Sequence, residues 1–323
     1  MFYSIRHITR FRYSGPVHES VMELRMQPRS ESGQTLRNFQ IATTPRAQLY
    51  AYTDHFGNAV YHFNLLRQHT ELRIEALSVI EVKDQEPLPP AADTLEWERY
   101  NSFNLSSEQY DLLEASQFAK TSPELKRFML SRDLNAPRGD PLTALRHLNG
   151  VIYDAFEYEA GVTQVHSPIA QALDAGRGVC QDFAHIMIAI ARHWGMPARY
   201  VSGYLFHRLK DKGRSSPDAT HAWMEAYLPS LGWVGFDPTN NIAAAERHIR
   251  VAIGRDYADV PPARGTFKGD VDSELGVAVR VEPTTAPVRH EEFLRVSKPM
   301  SAPNKPLSSQ QQSYYQQQQQ QQQ

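Results

Sequence analysis

The chain reads as an α+β fold, with an antiparallel β region first, a helical stretch next and strands again after it. Three patterns predict this. Apolar and polar residues alternate between positions 2 and 82, helix-start signals with helical periodicity occupy 122 to 195, and alternation returns from 200 to 237. Runs of strands followed by runs of helices mark the α+β class.

The first strand covers residues 2–13, with Tyr3, Ile5, His7, Thr9, Phe11 and Tyr13 on one face and Arg6, Arg10 and Arg12 on the other. Arginines on such a face are expected to be solvated. Met22, Leu24 and Met26 mark a second strand, and Phe39 and Ile41 a third. Leu49 to Arg67 reads as a hairpin turning at Asp54-His55-Phe56-Gly57-Asn58, where glycine and asparagine tolerate positive φ. Leu72, Ile74, Ala76, Ile80 and Val82 complete an antiparallel β domain over 1–86. Pro87-Leu88-Pro89-Pro90 breaks the pattern and opens a helical connection over 87–140.

Ser122-Pro123-Glu124 and Asp140-Pro141 each place a capping side chain before a proline at the first helical position. The second begins the core, 141–296, through Leu142, Leu145, Leu148, Ile152 and Phe156. Ser167-Pro168 starts another helix that ends at Gly176. Then comes Gly176-Arg177-Gly178-Val179-Cys180-Gln181-Asp182-Phe183, carrying the only cysteine at the start of a helix with apolar residues at Phe183, Ile186, Met187, Ile190, Ala191 and Trp194. Gly195 stops it. A helix N-terminus favours thiolate over thiol and offers unpaired N–H groups to an oxyanion. Asp182 is expected to stabilise the first helical turn, and His185 to be a structural histidine.

Strands follow at 200–206, at 221–227 and at 233–237, separated by a charged loop, Lys210 to Asp218, and by the turn after Leu228. Further strand-like pieces include 276–281. On the middle strand His221, Trp223, Glu225 and Tyr227 share one face. Only an odd-numbered loop puts Asp237 on that same side. A five-residue connection, Leu228 to Gly232, sets Tyr227 across from Trp233 and makes His221 the diagonal neighbour of Asp237, roughly 7–8 Å away between backbones. A thiol nucleophile needs a base and a group that orients the base, so Cys180, His221 and Asp237 are the candidate catalytic residues. Glu225 is the substitute for Asp237 should the register differ. Trp223 and Trp233 are candidates equally for lining an acyl groove beside these residues and for core packing, and Tyr204 is a further candidate substrate-binding residue.

Three segments, 178–184, 220–225 and 232–239, resemble in order the core motifs of the transglutaminase-like branch of papain-like thiol enzymes. The N-terminal β region resembles the domain that precedes this core in bacterial members. The resemblance spans about residues 1–290. It implies a papain-like, transglutaminase-like core in which Cys180 is nucleophile, His221 base then acid, and Asp237 the holder of the imidazole. The implied activity is acyl transfer on peptide or isopeptide amides, resolved by water in a cysteine protease or amidase, or by an amine in a transglutaminase. A non-catalytic peptide-binding or scaffold module on the same fold is the alternative. A peptide or protein is the expected substrate partner. By resemblance alone, an ATP-grasp-type protein encoded nearby is a further partner.

Composition narrows the classes. The 323 residues are 41% hydrophobic and 22% charged, and 34 Lys plus Arg stand against 36 Asp plus Glu, so neither a nucleic-acid nor a membrane partner is expected. Cysteine pairs, His-Glu-x-x-His, EF-hand and glycine-rich phosphate motifs are missing, so no metal or cofactor is expected. Calcium, used by animal transglutaminases, finds no acidic loop. The start lacks the apolar core of a signal peptide, and with the lone cysteine this leads to an expected reducing, cytoplasmic setting. Residues 297–323 are Pro-, Ser- and Gln-rich and are expected to be disordered.

Overall fold

A computed structural model describes residues 1–285 apart from 32, 85, 94, 103–105, 208–212 and 216–218. The glutamine-rich tail and most of the Lys210–Asp218 loop lie outside the described residues.

The N-terminal strands are β1 (Phe2–Val17), β2 (Glu19–Leu24), β3 (Gln34–Thr44), β4 (Tyr50–Thr53), β5 (Ala59–Leu65) and β6 (His69–Val82). The connection carries α1 (Glu96–Ser102), α2 (Ser107–Asp111) and α3 (Pro123–Ser131). The core begins with α4 (Pro141–Ala155), β7 (Glu157–Tyr158), α5 (Ile169–Ala175), β8 (Arg177–Gly178) and α6 (Cys180–His193). It continues with β9 (Ala198–Leu205), β10 (His221–Leu228), β11 (Gly232–Asp237), β12 (Ile242–Ala243) and β13 (His248–Gly254). The last two strands are β14 (Ala263–Lys268) and β15 (Ser273–Thr284).

Chain order and spatial order part at the end. By position β14 and β15 follow the core, yet β15 pairs with β1 in a sheet ordered β15-β1-β6-β3, and β14 pairs with β2 in a sheet ordered β14-β2-β5-β4. The reason is the two apolar faces. Tyr3, Ile5 and Phe11 of β1, Met22 and Leu24 of β2, Phe63 of β5 and Leu275 and Val277 of β15 share one buried core, and the late strands close it by covering edges that would otherwise leave backbone groups unpaired. On the outer face Arg6 and Arg10 reach across to Glu75 and Glu71 of β6, at 2.6 and 2.5 Å. These are partly exposed pairs, in keeping with a solvated strand face.

A second core lies between α6 and the sheet β12-β11-β10-β9-β13. Helix α6 is buried on nearly all sides, from Gln181 to Arg192, as its apolar run required. The two cores are tied together at defined points. Tyr204, Ile249 and Val251 of the second sheet pack into the N-terminal cluster. The Asp54–Asn58 turn, with Gly57 at φ +75°, docks on β13: Asn58 is fully buried, donates to the Ile253 carbonyl at 2.8 Å and accepts from the Ile253 N–H at 2.8 Å. That turn is therefore the joint between the β region and the core. Among the described residues no helix is long and apolar enough to cross a membrane.

Candidate active site

The nucleophile candidate is placed by a chain reversal. Helix α5 stops at Gly176, left-handed at φ +66°, β8 runs in parallel beside β7, and Val179 is the extended residue before α6. Cys180 is the first residue of that helix and is partly exposed. Asp182, 2% exposed, folds back so that its Oδ2 accepts from the Val179 N–H at 2.9 Å and from the Thr163 hydroxyl at 2.6 Å. Burial raises its pKa to about 6 against the lowering effect of those two donors. A Cβ at position 178 would stand 2.7 Å from that same oxygen, so any other side chain there would displace the carboxyl group that holds the helix start. The residues flanking Cys180 thus fix the helix start with a buried carboxyl group and leave the thiol clear.

The hairpin of β10 and β11 has Tyr227 across from Trp233 and Met224 across from Phe236, the register expected from an odd connection. Leu228 and Gly232 still pair, so the turn itself is Pro229 to Leu231. His221 and Asp237 consequently meet: His221 Nε2 and Asp237 Oδ2 are 2.8 Å apart, both residues buried. A carboxylate only accepts, so Nε2 carries the hydrogen and Nδ1 is left as the base. Nδ1 is buried and makes no hydrogen bond of normal geometry to a described residue. Burial would lower the pKa of this imidazole, but the charge of Asp237 and its hydrogen bond, helped by the adjacent Cys180 thiol, raise it to about 10. The pKa of Asp237 is pushed well below the carboxylate range: burial opposes this, and the charge and N–H of His221 and then those of His248 outweigh it.

Asp237 is held from every side. Its Oδ2 also accepts from Asn240 Nδ2 at 2.7 Å and from His248 Nε2 at 3.2 Å, while Oδ1 accepts the backbone N–H groups of Thr239 at 3.0 Å and Asn240 at 3.3 Å. His248 has its tautomer fixed, since its Nδ1 accepts from the Ala245 N–H at 3.3 Å, and burial lowers its pKa. Ligand atoms of His221, Asp237 and His248 lie within 4.8 Å of one another, a set of the type that holds transition metals. Here the two ring N–H groups point at the carboxylate between them, so a cation would have to displace both protons.

The candidate substrate-binding residues fall elsewhere. Trp223 is fully buried with Val201 and Ile253, its ring 6.2 Å from that of His221 and 5.1 Å from that of His248. It backs the imidazoles and presents no surface to a substrate. Trp233 carries the Arg199 guanidinium 4.2 Å above its ring, away from the cleft. Tyr204 is buried, with its hydroxyl 2.9 Å from His7 Nδ1. Alternation on a strand does not distinguish a face packed on a second layer from one lining a groove; Trp223 and Tyr204 lie on packed faces, and Trp233 is half-buried beneath Arg199. Glu225 does not replace Asp237, because its carboxylate is taken by Arg199 at 2.6 Å and Arg250 at 2.5 Å. His185 accepts the Tyr257 N–H at 3.1 Å and is structural.

Cys180 and His221 open on a cleft of about 770 Å³, including its mouth. One wall comes from the core, with Tyr158, Tyr200 and Ser202. The other comes from the β region, with His7 and Thr9 of β1 and Leu275 and Val277 of β15. Sequence reasoning missed this second wall although it had a signal: His7 and Thr9 are the two polar positions on an otherwise apolar strand face. His248 carried no such mark, since its tie to Asp237 is made only by the folded sheet.

Comparison with known proteins agrees with this architecture. The model of the bacterial transglutaminase-like N-terminal region matches residues 3–81, and that of the transglutaminase-like superfamily matches residues 129–238. The uncharacterized protein ML0607 of Mycobacterium leprae (strain TN) is 34% identical over 281 residues, covering 85% of this chain and 96% of that one. A protein-glutamine gamma-glutamyltransferase of Pseudomonas aeruginosa is 33% identical over 105 residues, 30% of this chain and 16% of that protein. Among solved structures, a candidate cysteine protease from Cytophaga hutchinsonii superimposes with a TM-score of 0.68 at 20% identity, covering 89% of this chain and 92% of that one. At that identity the likeness is one of fold.

Proposed function

We propose that this chain, which belongs to the transglutaminase-like superfamily, is a thiol enzyme that transfers acyl groups from peptide or isopeptide amides through a thioester on Cys180. The observation that carries this reading is the His221 ring, bonded through Nε2 to a carboxylate with five hydrogen-bond donors around it, with its Nδ1 making no hydrogen bond of normal geometry to a described residue and standing beside the one cysteine. Such an imidazole is strongly basic and has one partner left to serve.

The steps follow from the groups present. With its proton held by His221 Nδ1, the Cys180 sulfur attacks the amide carbon, and the carbonyl π electrons move onto oxygen. The Cys180 N–H, at the first position of a 14-residue helix, donates to that oxyanion. Collapse breaks the C–N bond as His221 gives its proton to the departing amine, leaving a thioester. Water or a second amine then attacks, losing its proton to His221, and the thiol is restored. Water yields an acid and cleavage; an amine yields a new amide.

The test is mass spectrometry of a mixed peptide pool incubated with the protein, with and without an added primary amine. The proposal expects new products that disappear in Cys180→Ala, with amine-bearing products if transfer to amines is the normal outcome. Peptide retained on the protein with no product and no thioester adduct would instead support a binding module.

A further inference from the structure

An oxyanion in a buried cleft needs more than one donor, and loss of one donor commonly costs on the order of 100-fold or more in rate. The backbone supplies the first at Cys180. Several polar side chains around the cleft are already committed. Gln181 donates through Nε2 to the Val165 carbonyl at 2.9 Å, and His7 has one ring nitrogen against Tyr204 at 2.9 Å and the other against Thr9 at 3.3 Å. Tyr158 and Tyr257 also line the cleft and have partners of their own.

Tyr200 differs. It projects from β9 toward α6, is 2% exposed and lines the cleft with Cys180 and His221, yet its hydroxyl makes no hydrogen bond to a described residue. Its position is fixed on three sides: the ring lies 4.9 Å from His185 and 6.3 Å from Tyr257, and the backbone is paired with Met224 and Gly254. Burial, followed by the Cys180 thiol as the leading charged neighbour, raises the pKa of the phenol well above its ordinary value. The hydroxyl is therefore a proton-bearing donor throughout the working range of a thiol enzyme. Ser202, two residues further along the same strand, lines the wall on a shorter side chain.

We infer that Tyr200 is a catalytic residue whose hydroxyl donates a hydrogen bond to the oxyanion formed when Cys180 attacks an acyl carbon. This rests on the acyl-transfer reading. It adds no chemical step: the phenol keeps its proton, strengthens its hydrogen bond as charge builds on oxygen and relaxes when the thioester forms.

Two probes of the full chain separate this role from others. Acylation of Cys180 by p-nitrophenyl acetate passes through an oxyanion, whereas alkylation by iodoacetamide displaces iodide and does not. In Tyr200→Phe, which keeps the packing ring, the p-nitrophenolate burst should slow on the order of 100-fold, with iodoacetamide labelling of Cys180 and the melting temperature unchanged. Tyr200→Met, a flexible filler without a hydroxyl, should show the same selective loss. An unchanged burst in both Tyr200 variants, or an equal loss with both probes, overturns the assignment. A burst missing from the wild type, or surviving in Cys180→Ala, overturns the acyl-transfer reading itself and Tyr200 with it.

Discussion

Glu225 and Asp237 are both fully buried acids on neighbouring strands of one hairpin and on the same face of it, yet their surroundings differ in kind. Glu225 is clasped by Arg199 and Arg250, and although burial would raise its pKa, the two guanidinium groups lower it to about 2. Asp237 is met by two imidazoles, an asparagine and two backbone N–H groups. Guanidinium is charged at every relevant pH, so the first site is a fixed ionic weld between strands. Imidazole can gain and lose a proton, so the second site is the one able to move charge in the proposed reaction. One hairpin thus carries an acid that holds the fold beside the acid that the proposed reaction would use.

The sharpest break comes from removing the two groups between which the proposed reaction passes a proton. Cys180→Ala or His221→Ala should reduce product formation by on the order of 10⁴ or more, and the double variant should be no worse than either single one, since the residues act as a unit. Product yield by mass spectrometry, with circular dichroism for folding, checks this.

Next come the two acids themselves. Asp237→Asn keeps the shape but removes the charge that holds the imidazole, and should lower turnover on the order of 10³ or more. Glu225→Gln should do the reverse. Turnover per folded molecule should persist, while two buried arginines lose their counter-charge and stability falls by about 3–5 kcal/mol, read in urea melts. Equal activity loss in both variants would erase the contrast. The sign with pH follows from the shifts. His221 has a raised folded pKa, so its contribution to stability is complete below about 6.5 and is lost as pH rises through about 10. Asp237, with a depressed one, contributes above about 3.9 and loses that contribution in stronger acid. The stability gap between wild type and Asp237→Asn should therefore be widest between these limits, and melts at pH 5, 7 and 11 would show it narrowing at the last.

His248→Ala sharpens the comparison further. It removes one of three donors to Asp237 Oδ2 without touching the substrate cleft, so a loss of about 10-fold in kcat with KM unchanged is expected. The smallest effect belongs to Asp182, whose folded pKa is raised to about 6 by burial. Its contribution favours the folded state at acid pH and is lost as pH rises through about 6. Asp182→Asn keeps an acceptor for the Val179 N–H and should flatten that part of the stability profile, seen as a difference in melting temperature between pH 5 and pH 7.

What could be read from the sequence follows from how far apart in the chain the cooperating atoms lie. The His221–Asp237 pair was legible because a short hairpin converts loop parity into a same-face relation, and Cys180 because a glycine-flanked helix start has a local signature. The β1 face was legible as alternation, and its members His7 and Thr9 proved to line the cleft. The joint at Asn58 and Ile253, the edge positions of β14 and β15, the tie from His248 to Asp237 and the place of Tyr200 in the cleft wall depend on packing between distant segments. Trp223, Trp233 and Tyr204 sat on the expected strands, but a strand's alternation does not say which layer covers its face.

The most direct measurement is the rate of Cys180 alkylation by iodoacetamide at pH 7, compared with glutathione and with the His221→Asn variant. A thiol paired with the basic imidazole should react at least about tenfold faster than glutathione and fall to the rate of glutathione, or below it, when His221 is replaced. A wild-type rate equal to that of glutathione and unchanged by the substitution would contradict the account.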